Sequence, residues 1–164
     1  LSRARKMWGH KKGKEGQEEE RIDLGMVGEV EAINPEVIRT FMANKWTPVI
    51  APVGMGPGGE VYNINADLVA GKVASALQAE KFILLTDVEG VLNSEKHLIS
   101  TMDAEVAGRF IQEGTISGGM IPKVRCCLDA LREGVKKTHV IDGRGKHAIL
   151  LEIFTDEGIG TQIY

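Results

Sequence analysis

ADLVAGKVASALQAEKFILLTDV, residues 66–88, carries two periodicities in succession. Apolar residues at 68, 69, 73, 76 and 77 recur at the spacing of a helix with one buried face. KFILLTDV (81–88) then runs apolar without a break until the polar pair Thr86 and Asp87. A short run apolar on both faces is the mark of a strand covered above and below, as at the centre of a parallel sheet. A helix followed by a buried strand is the repeating unit of an α/β layer fold.

The same alternation extends in both directions. Toward the carboxyl end, GVLNSEKHLIS (90–100) reads as a short β-hairpin, DAEVAGRFIQEG (103–114) as a helix closed by Gly114, and IPKVRCCLDALREG (121–134) as a second helix with Pro122 in its first turn. KKTHVIDGR (136–144) is another buried strand, HAILLEIF (147–154) a helix and GIGTQIY (158–164) a last strand. Toward the amino end, RARKMW (3–8) and IDLGMVGEVEAI (22–33) read as strands. Asn34, Pro35 and Glu36 start a helix that reaches about Lys45, and TPVIAPVG (47–54) is an apolar β-type run before the breaker cluster GMGPGGE (54–60). Between the first two strands, HKKGKEGQEEER (10–21) has no apolar residue, so it cannot offset its ordering entropy by burial and is expected to be a mobile loop or hairpin tip. The expected fold is a three-layer αβα sandwich around a mainly parallel sheet.

Composition narrows the function classes. A chain of 164 residues fits one domain with a real core. A net charge of −3 provides no basic field for a nucleic-acid backbone. No apolar run approaches the roughly 20 residues that cross a bilayer, and LSRARKMWGHKKGK has no apolar core of a signal peptide, so a cytoplasmic, soluble protein is expected. Cys126 and Cys127 are adjacent in a helical pattern, a spacing that suits neither a disulfide framework nor a metal site, and they read as structural.

Three loops lie where α/β sheets bind ligands, at the carboxyl ends of strands. In GMGPGGEVYNINAD (54–67), Asn63, Asn65 and Asp67 crowd the mouth of a helix. A single cap at Asn65 or Asp67 is the ordinary use of such residues, yet three polar groups in five positions exceed what one helix needs. In LLTDVEGV (84–91), Thr86 and Asp87 could meet a ribose, an adenine or a magnesium-bound phosphate, or simply open a turn that Gly90 closes. In TISGGMIPK (115–123), Gly118 and Gly119 let amides approach an anion, a helix start adds its positive end and Lys123 adds a full charge. A flexible connector with a solvated lysine is the plainer alternative. The spacing matches neither G-x-x-x-x-G-K-[ST] nor G-x-G-x-x-G.

YNINADLVAG, ILLTDVEGVL, GTISGGMIPKV, HVIDGR and FTDEGIGT, in this order, closely resemble the carboxyl-terminal half of the acetylglutamate kinases, a branch of the amino acid kinase family. The resemblance covers the whole chain and implies ATP-dependent phosphorylation of the γ-carboxylate of N-acetyl-L-glutamate in arginine biosynthesis, with ATP/ADP and Mg2+ as nucleotide and ion. It implies that Asn63, with Asn65 beside it, binds the acceptor and that Asp67 holds active-site lysines. It implies that Lys123 stabilises the phosphoryl group in flight and that Thr86, Asp87, Gly118, Gly119 and Met120 surround the nucleotide. In the arginine-inhibited branch, matching positions give His139, Glu152 and Gly158 to the feedback inhibitor arginine; a core histidine and a solvated helix glutamate are the alternatives from the residues themselves. The resemblance also implies a homo-oligomer when full length and counts a PII-type signalling protein among the partners.

The family's amino-terminal motifs, including a first lysine near a glycine pair and a substrate-gripping arginine, are not in this sequence. The 164 residues are therefore expected to form the nucleotide-binding half alone and to transfer phosphate poorly without the acceptor-binding half. Two other readings are a family member acting on aspartate, glutamate or carbamate, and a non-catalytic module that senses nucleotide or arginine.

Overall fold

A computed structural model describes residues 1–11, 20–155 and 158–164 of the chain, which divides into two compact units, Leu1–Ala76 and Leu77–Tyr164. Most of the charged stretch expected to be a mobile tip, and Asp156 and Glu157 of the FTDEGIGT motif, lie outside the described residues.

In the first unit, β1 (Ser2–Lys11) and β2 (Glu20–Ile33) pair antiparallel from Ser2↔Ile33 to Lys11↔Glu20, with bulges at Arg3/Ala4 and Lys6/Trp8. β3 (Val53–Met55) and β4 (Val61–Asn63) form a short antiparallel pair. Single parallel contacts, Arg3↔Met55 and Val27↔Asn63, close the four strands into a small barrel in the order β1-β2-β4-β3. So few strands close only where backbones can come very near. A Cβ on Gly28 would stand 2.6 Å from Tyr62 Cβ, and one on Gly54 2.6 Å from Ala4 Cβ, so at both points a side chain is sterically excluded. Ala4, Tyr62, Ile64 and Val69 form the core.

α1 (Pro35–Ala43) starts as expected, with Asn34 Oδ1 accepting from Glu36 N at 3.1 Å and Pro35 in the first turn. It ends at Ala43, two residues before the expected Lys45, where the chain turns through a left-handed φ of 63°. The β-type run 47–54 is corrected: only Val53–Met55 forms a strand, because Pro48 and Pro52 have no N–H for a ladder. β4, by contrast, lies inside a stretch expected to be a loop. α2 (Ala66–Leu77) follows.

The second unit holds a four-stranded sheet in the order β5-β7-β8-β6. β5 (Lys81–Thr86) and β7 (Lys137–Asp142) are parallel and in register from Lys81↔Lys137 to Thr86↔Asp142. β8 (Thr161–Ile163) inserts antiparallel to β7 and parallel to β6 (Thr101–Met102), so two of the three pairings are parallel and the expected α/β class holds. β5, however, is one of the two edge strands of this sheet among the described residues and alternates in burial, where a central position had been expected. The expected hairpin at 90–100 shrinks to one bridge, Leu92↔Leu98, around an Asn93 turn whose Oδ1 accepts from Glu95 N and His97 N.

α3 (Ala104–Gln112) is capped by Asp103, which accepts from Val106 N at 2.7 Å, and Gly114 closes it at φ 79°. α4 (Met120–Arg132) packs on β7, β5 and α3 and buries Val124, Cys127 and Leu128, and α5 (Ala148–Phe154) precedes β8. Cys126 and Cys127 are buried in α4, in agreement with a structural role.

One interior polar anchor of the sheet is Thr161 on β8. It is fully buried, and its Oγ1 accepts from Val91 N at 2.8 Å across seventy residues of sequence. Thr161→Val keeps the shape and leaves the Val91 N–H without its partner; we expect a loss of about 1–3 kcal/mol in urea unfolding. An unchanged midpoint would show that this bond contributes nothing.

Candidate functional site

The parallel register of β5 and β7 brings Thr86 and Asp142 level at the carboxyl rim of the sheet. Gly143 N donates to Thr86 O at 2.8 Å, which joins the two strand ends, and Thr86 Oγ1 donates to Asp87 Oδ1 at 3.3 Å. Asp87 is exposed just beyond the strand. Arg144 grips Asp142 with Nε and a terminal nitrogen, and its own backbone N–H also donates to the carboxylate at 2.9 Å. The side-chain bonds from Arg144 hold the Asp142 carboxyl down at about 2. The Arg144 guanidinium is raised chiefly by Asp142 and to a smaller extent by the charges of Asp87 and Glu89, which places a compact set of acids around one cation.

α4 leads to this rim by its length. After Arg132 the chain turns and enters β7, so helix and strand run back to back. Thirteen residues of helix and six of strand both measure about 20 Å. The amino end of α4 therefore reaches the height at which β5 and β7 end. That amino end is preceded by Gly118 at φ 56° and capped by Gly119, which has no side chain to satisfy the helix amides. A Cβ built on either glycine meets no atom within 4 Å, so both face open space. The first turn holds no acidic residue, and Lys123 lies half-buried in it next to Pro122. Positive helix end, open backbone and lysine together make an anion-receptive turn.

In the first unit, Asn63 ends β4 with an exposed side chain, and buried Ile64 separates it from Asn65. Asn65 is the cap of α2: its Oδ1 accepts from Asp67 N at 2.9 Å and Leu68 N at 3.3 Å. Asp67 sits half-buried in the first turn, relieved of the capping duty. The expected residues divide between the units, Asn63, Asn65 and Asp67 belonging to one, and Thr86, Asp87, Gly118, Gly119, Met120 and Lys123 to the other.

A second cluster in Leu77–Tyr164 joins His139, Glu152 and Gly158. His139 is 1% exposed in β7 and Glu152 8% exposed in α5; Nδ1 and Oε1 stand 2.6 Å apart, imperfectly aligned for a hydrogen bond, and His139 Nε2 has no partner among the described residues. Glu152 Oε2 accepts from Ile159 N at 2.8 Å, which fastens the turn at Gly158, itself at φ 58°. Glu152 and Gly158 border a cleft of about 560 Å³, together with Glu89, Asp142 and Gln162. Glu89 and Gln162 were not anticipated from sequence, since nothing in the spacing of the chain shows that β8 inserts beside β7. Of the three carboxylates on this cleft, Asp142 is paired with Arg144 and Glu152 accepts from Ile159 N, so Glu89 is the one best placed to face a cationic group.

Burial lowers the His139 pKa below 6.5, with Glu152 opposing the shift. The unfolded chain then binds the proton more readily, so stability contributed by neutral His139 is present above 6.5 and lost as pH falls toward the lower folded value. We expect the urea midpoint to decline on acidification below 6.5 and His139→Gln to flatten that slope; equal slopes in the two proteins would remove His139 from the account.

The model of the amino acid kinase family matches residues 4–142. An acetylglutamate kinase of Syntrophus aciditrophicus is 59% identical over 88% of this chain and 49% of its own length, and one from Moorella thermoacetica 55% identical over 99% and 55%. The chain thus spans about half the length of the curated relatives it matches. Among solved structures, N-acetylglutamate synthase from Neisseria gonorrhoeae, complexed with coenzyme A and L-arginine, matches with a TM-score of 0.84 and 25% identity, covering 99% of this chain and 36% of that one. A family match that begins in the first strand and ends at Asp142, on the rim where β5 and β7 stop together, makes this chain a member of the amino acid kinase family.

Proposed function

We propose that this chain supplies the nucleotide site of an acetylglutamate kinase, which transfers the γ-phosphoryl group of ATP to the γ-carboxylate of N-acetyl-L-glutamate in the cytoplasmic synthesis of arginine. The carrying observation is the open Gly118–Gly119 turn at the head of α4 with Lys123 in its first turn. Relatives with this name, 53–59% identical over nearly the whole chain, support the choice of acceptor.

In such a transfer a carboxylate oxygen forms the new bond to phosphorus while the bond to the β-phosphate oxygen breaks, and ADP leaves. The protein contributes mainly position and charge. Lys123 neutralises the phosphoryl oxygens, and the turn at Gly118 to Met120 admits them without a Cβ in the way. Thr86 and Asp87 border the nucleoside. In the first unit, Asn63 takes the acceptor; Asn65 lies beside it but already spends its oxygen on α2, and Asp67 is the carboxylate that keeps an active-site lysine charged. Among the described residues no group of three His, Cys, Asp or Glu side chains could hold a metal ion, so magnesium is assigned to the nucleotide phosphates with few protein ligands. No helix among the described residues is long and apolar enough to cross a membrane.

The cleft is assigned to arginine as feedback inhibitor, with Glu89 and Glu152 facing its cationic groups, Asp142 held by Arg144 at the border and His139 held behind Glu152. The synthase solved with L-arginine supports this reading through its likeness in fold. Homo-oligomeric assembly of the complete enzyme belongs to the same proposal.

Titration calorimetry checks both assignments. The chain should bind Mg·ADP, and Lys123→Ala should weaken it about tenfold or more, as loss of a charged contact does. Nucleotide affinity unaffected by Lys123→Ala would sink the phosphate assignment. Arginine should bind independently, and Glu89→Gln should weaken it several-fold while leaving Mg·ADP binding unaltered; no arginine binding, or binding indifferent to Glu89, would refute the cleft's role.

A further inference from the structure

Asp142 borders the cleft, yet its carboxylate is already occupied by a guanidinium of the chain itself. Oδ1 accepts from Arg144 N and from Arg144 Nε, both at 2.9 Å. Oδ2 accepts from Nη2 at 2.8 Å and from Nε at 3.3 Å, so both of its partners belong to the side chain. Among the described residues, neither the carboxylate nor the guanidinium has another hydrogen-bond partner. A carboxylate offers about four acceptor positions, and Arg144 takes nearly all of them. Free arginine would bring the same planar group to the cleft, and a carboxylate recognises it by the same two-pronged grip.

The internal pair is built to exchange. The Arg144 side chain is 67% exposed and that of Asp142 26%, and an ion pair so open to water is worth about fivefold or less in an equilibrium. Gly143 and Gly145 flank Arg144, so no side chain adjacent in sequence packs against it. A displaced guanidinium is not stranded, because Asp87 and Glu89 lie near enough to act on its charge. Nor does the turn come apart, since the main-chain bond from Arg144 N goes on holding Oδ1.

We propose that Arg144 is a tethered competitor for the cleft: its guanidinium sits on Asp142 until free arginine displaces it, and so sets the concentration at which the cleft fills. This reading rests on the assignment of the cleft to arginine and not on the nucleotide site. In the chain as it stands Glu89 and Glu152 meet the ligand first, and Asp142 becomes a third acceptor only by exchange. A group fixed to the chain cannot be diluted, so its competition is constant at every protein concentration.

Titration calorimetry with L-arginine, on the chain and on Arg144→Met, tests the competition. Methionine keeps an unbranched stem and the main-chain bond, and it leaves Oδ2 open. Arginine should bind Arg144→Met about fivefold or more tightly than the unsubstituted chain, a gain that damage to the fold does not produce. L-Citrulline, nearly the same shape without the charge, should show no gain. In an Asp142→Asn background the gain from Arg144→Met should vanish, because the contested carboxylate is gone. Arg144→Lys keeps a charge but not the fork; it should show a smaller gain in the same direction, and it carries the test if Arg144→Met does not fold. Where the unsubstituted chain binds arginine, equal or weaker binding by the Arg144 variants overturns the proposal and leaves the cleft assignment standing. So does a gain that persists in Asp142→Asn, or an equal gain for citrulline. No arginine binding by any of these chains overturns the cleft assignment and the proposal with it.

Discussion

Most of what this chain offers chemically depends on the in-register parallel pairing of β5 with β7. Parallel strands end together, and here they end at Thr86 and Asp142. The bond from Gly143 N to Thr86 O fixes that level, Arg144 folds back on Asp142, and α4, equal in length to the strand it precedes, delivers its glycine-capped amino end to the same height. A slip by one residue would move every side chain of β7 to the opposite face of the sheet and put Thr86 and Asp142 out of level. Burial of Thr138, His139, Val140 and Ile141 makes such a slip costly.

One strand of this sheet also carries residues of two separate clusters. β7 carries Asp142 at its end and His139 in its middle, and β8 inserts beside it to bring the Gly158–Ile159 turn over Glu152. Gly160 makes that insertion feasible: a Cβ there would collide with the Val140 carbonyl. The buried His139–Glu152 contact is therefore more than a local pair, since it ties α5, β7 and the turn before β8 together.

Local signals in the sequence translated well where the physics is local. Asn34–Pro35–Glu36 started α1, Gly114 ended α3, and the apolar run at 136–144 became a strand buried on nearly all sides. Long-range pairing was not legible. Nothing in KFILLTDV shows that β5 has a single neighbouring strand among the described residues, because the alternation of its burial depends on which strands cover it. The barrel of the first unit depends on Gly28 and Gly54 meeting Tyr62 and Ala4, contacts between residues 34 and 50 positions apart in sequence. At the candidate site, Asn65 could be read as a cap from its position, whereas Glu89 became visible only with the cleft it borders.

The adjacent thiols of Cys126 and Cys127 are 5% and 0% exposed on the inner side of α4, the helix whose first turn carries Lys123. A thiol reagent can reach them only when that helix lifts from the sheet. The protein thus contains its own reporter of how often the anion-receptive turn comes apart, readable in the unsubstituted chain as a rate of alkylation.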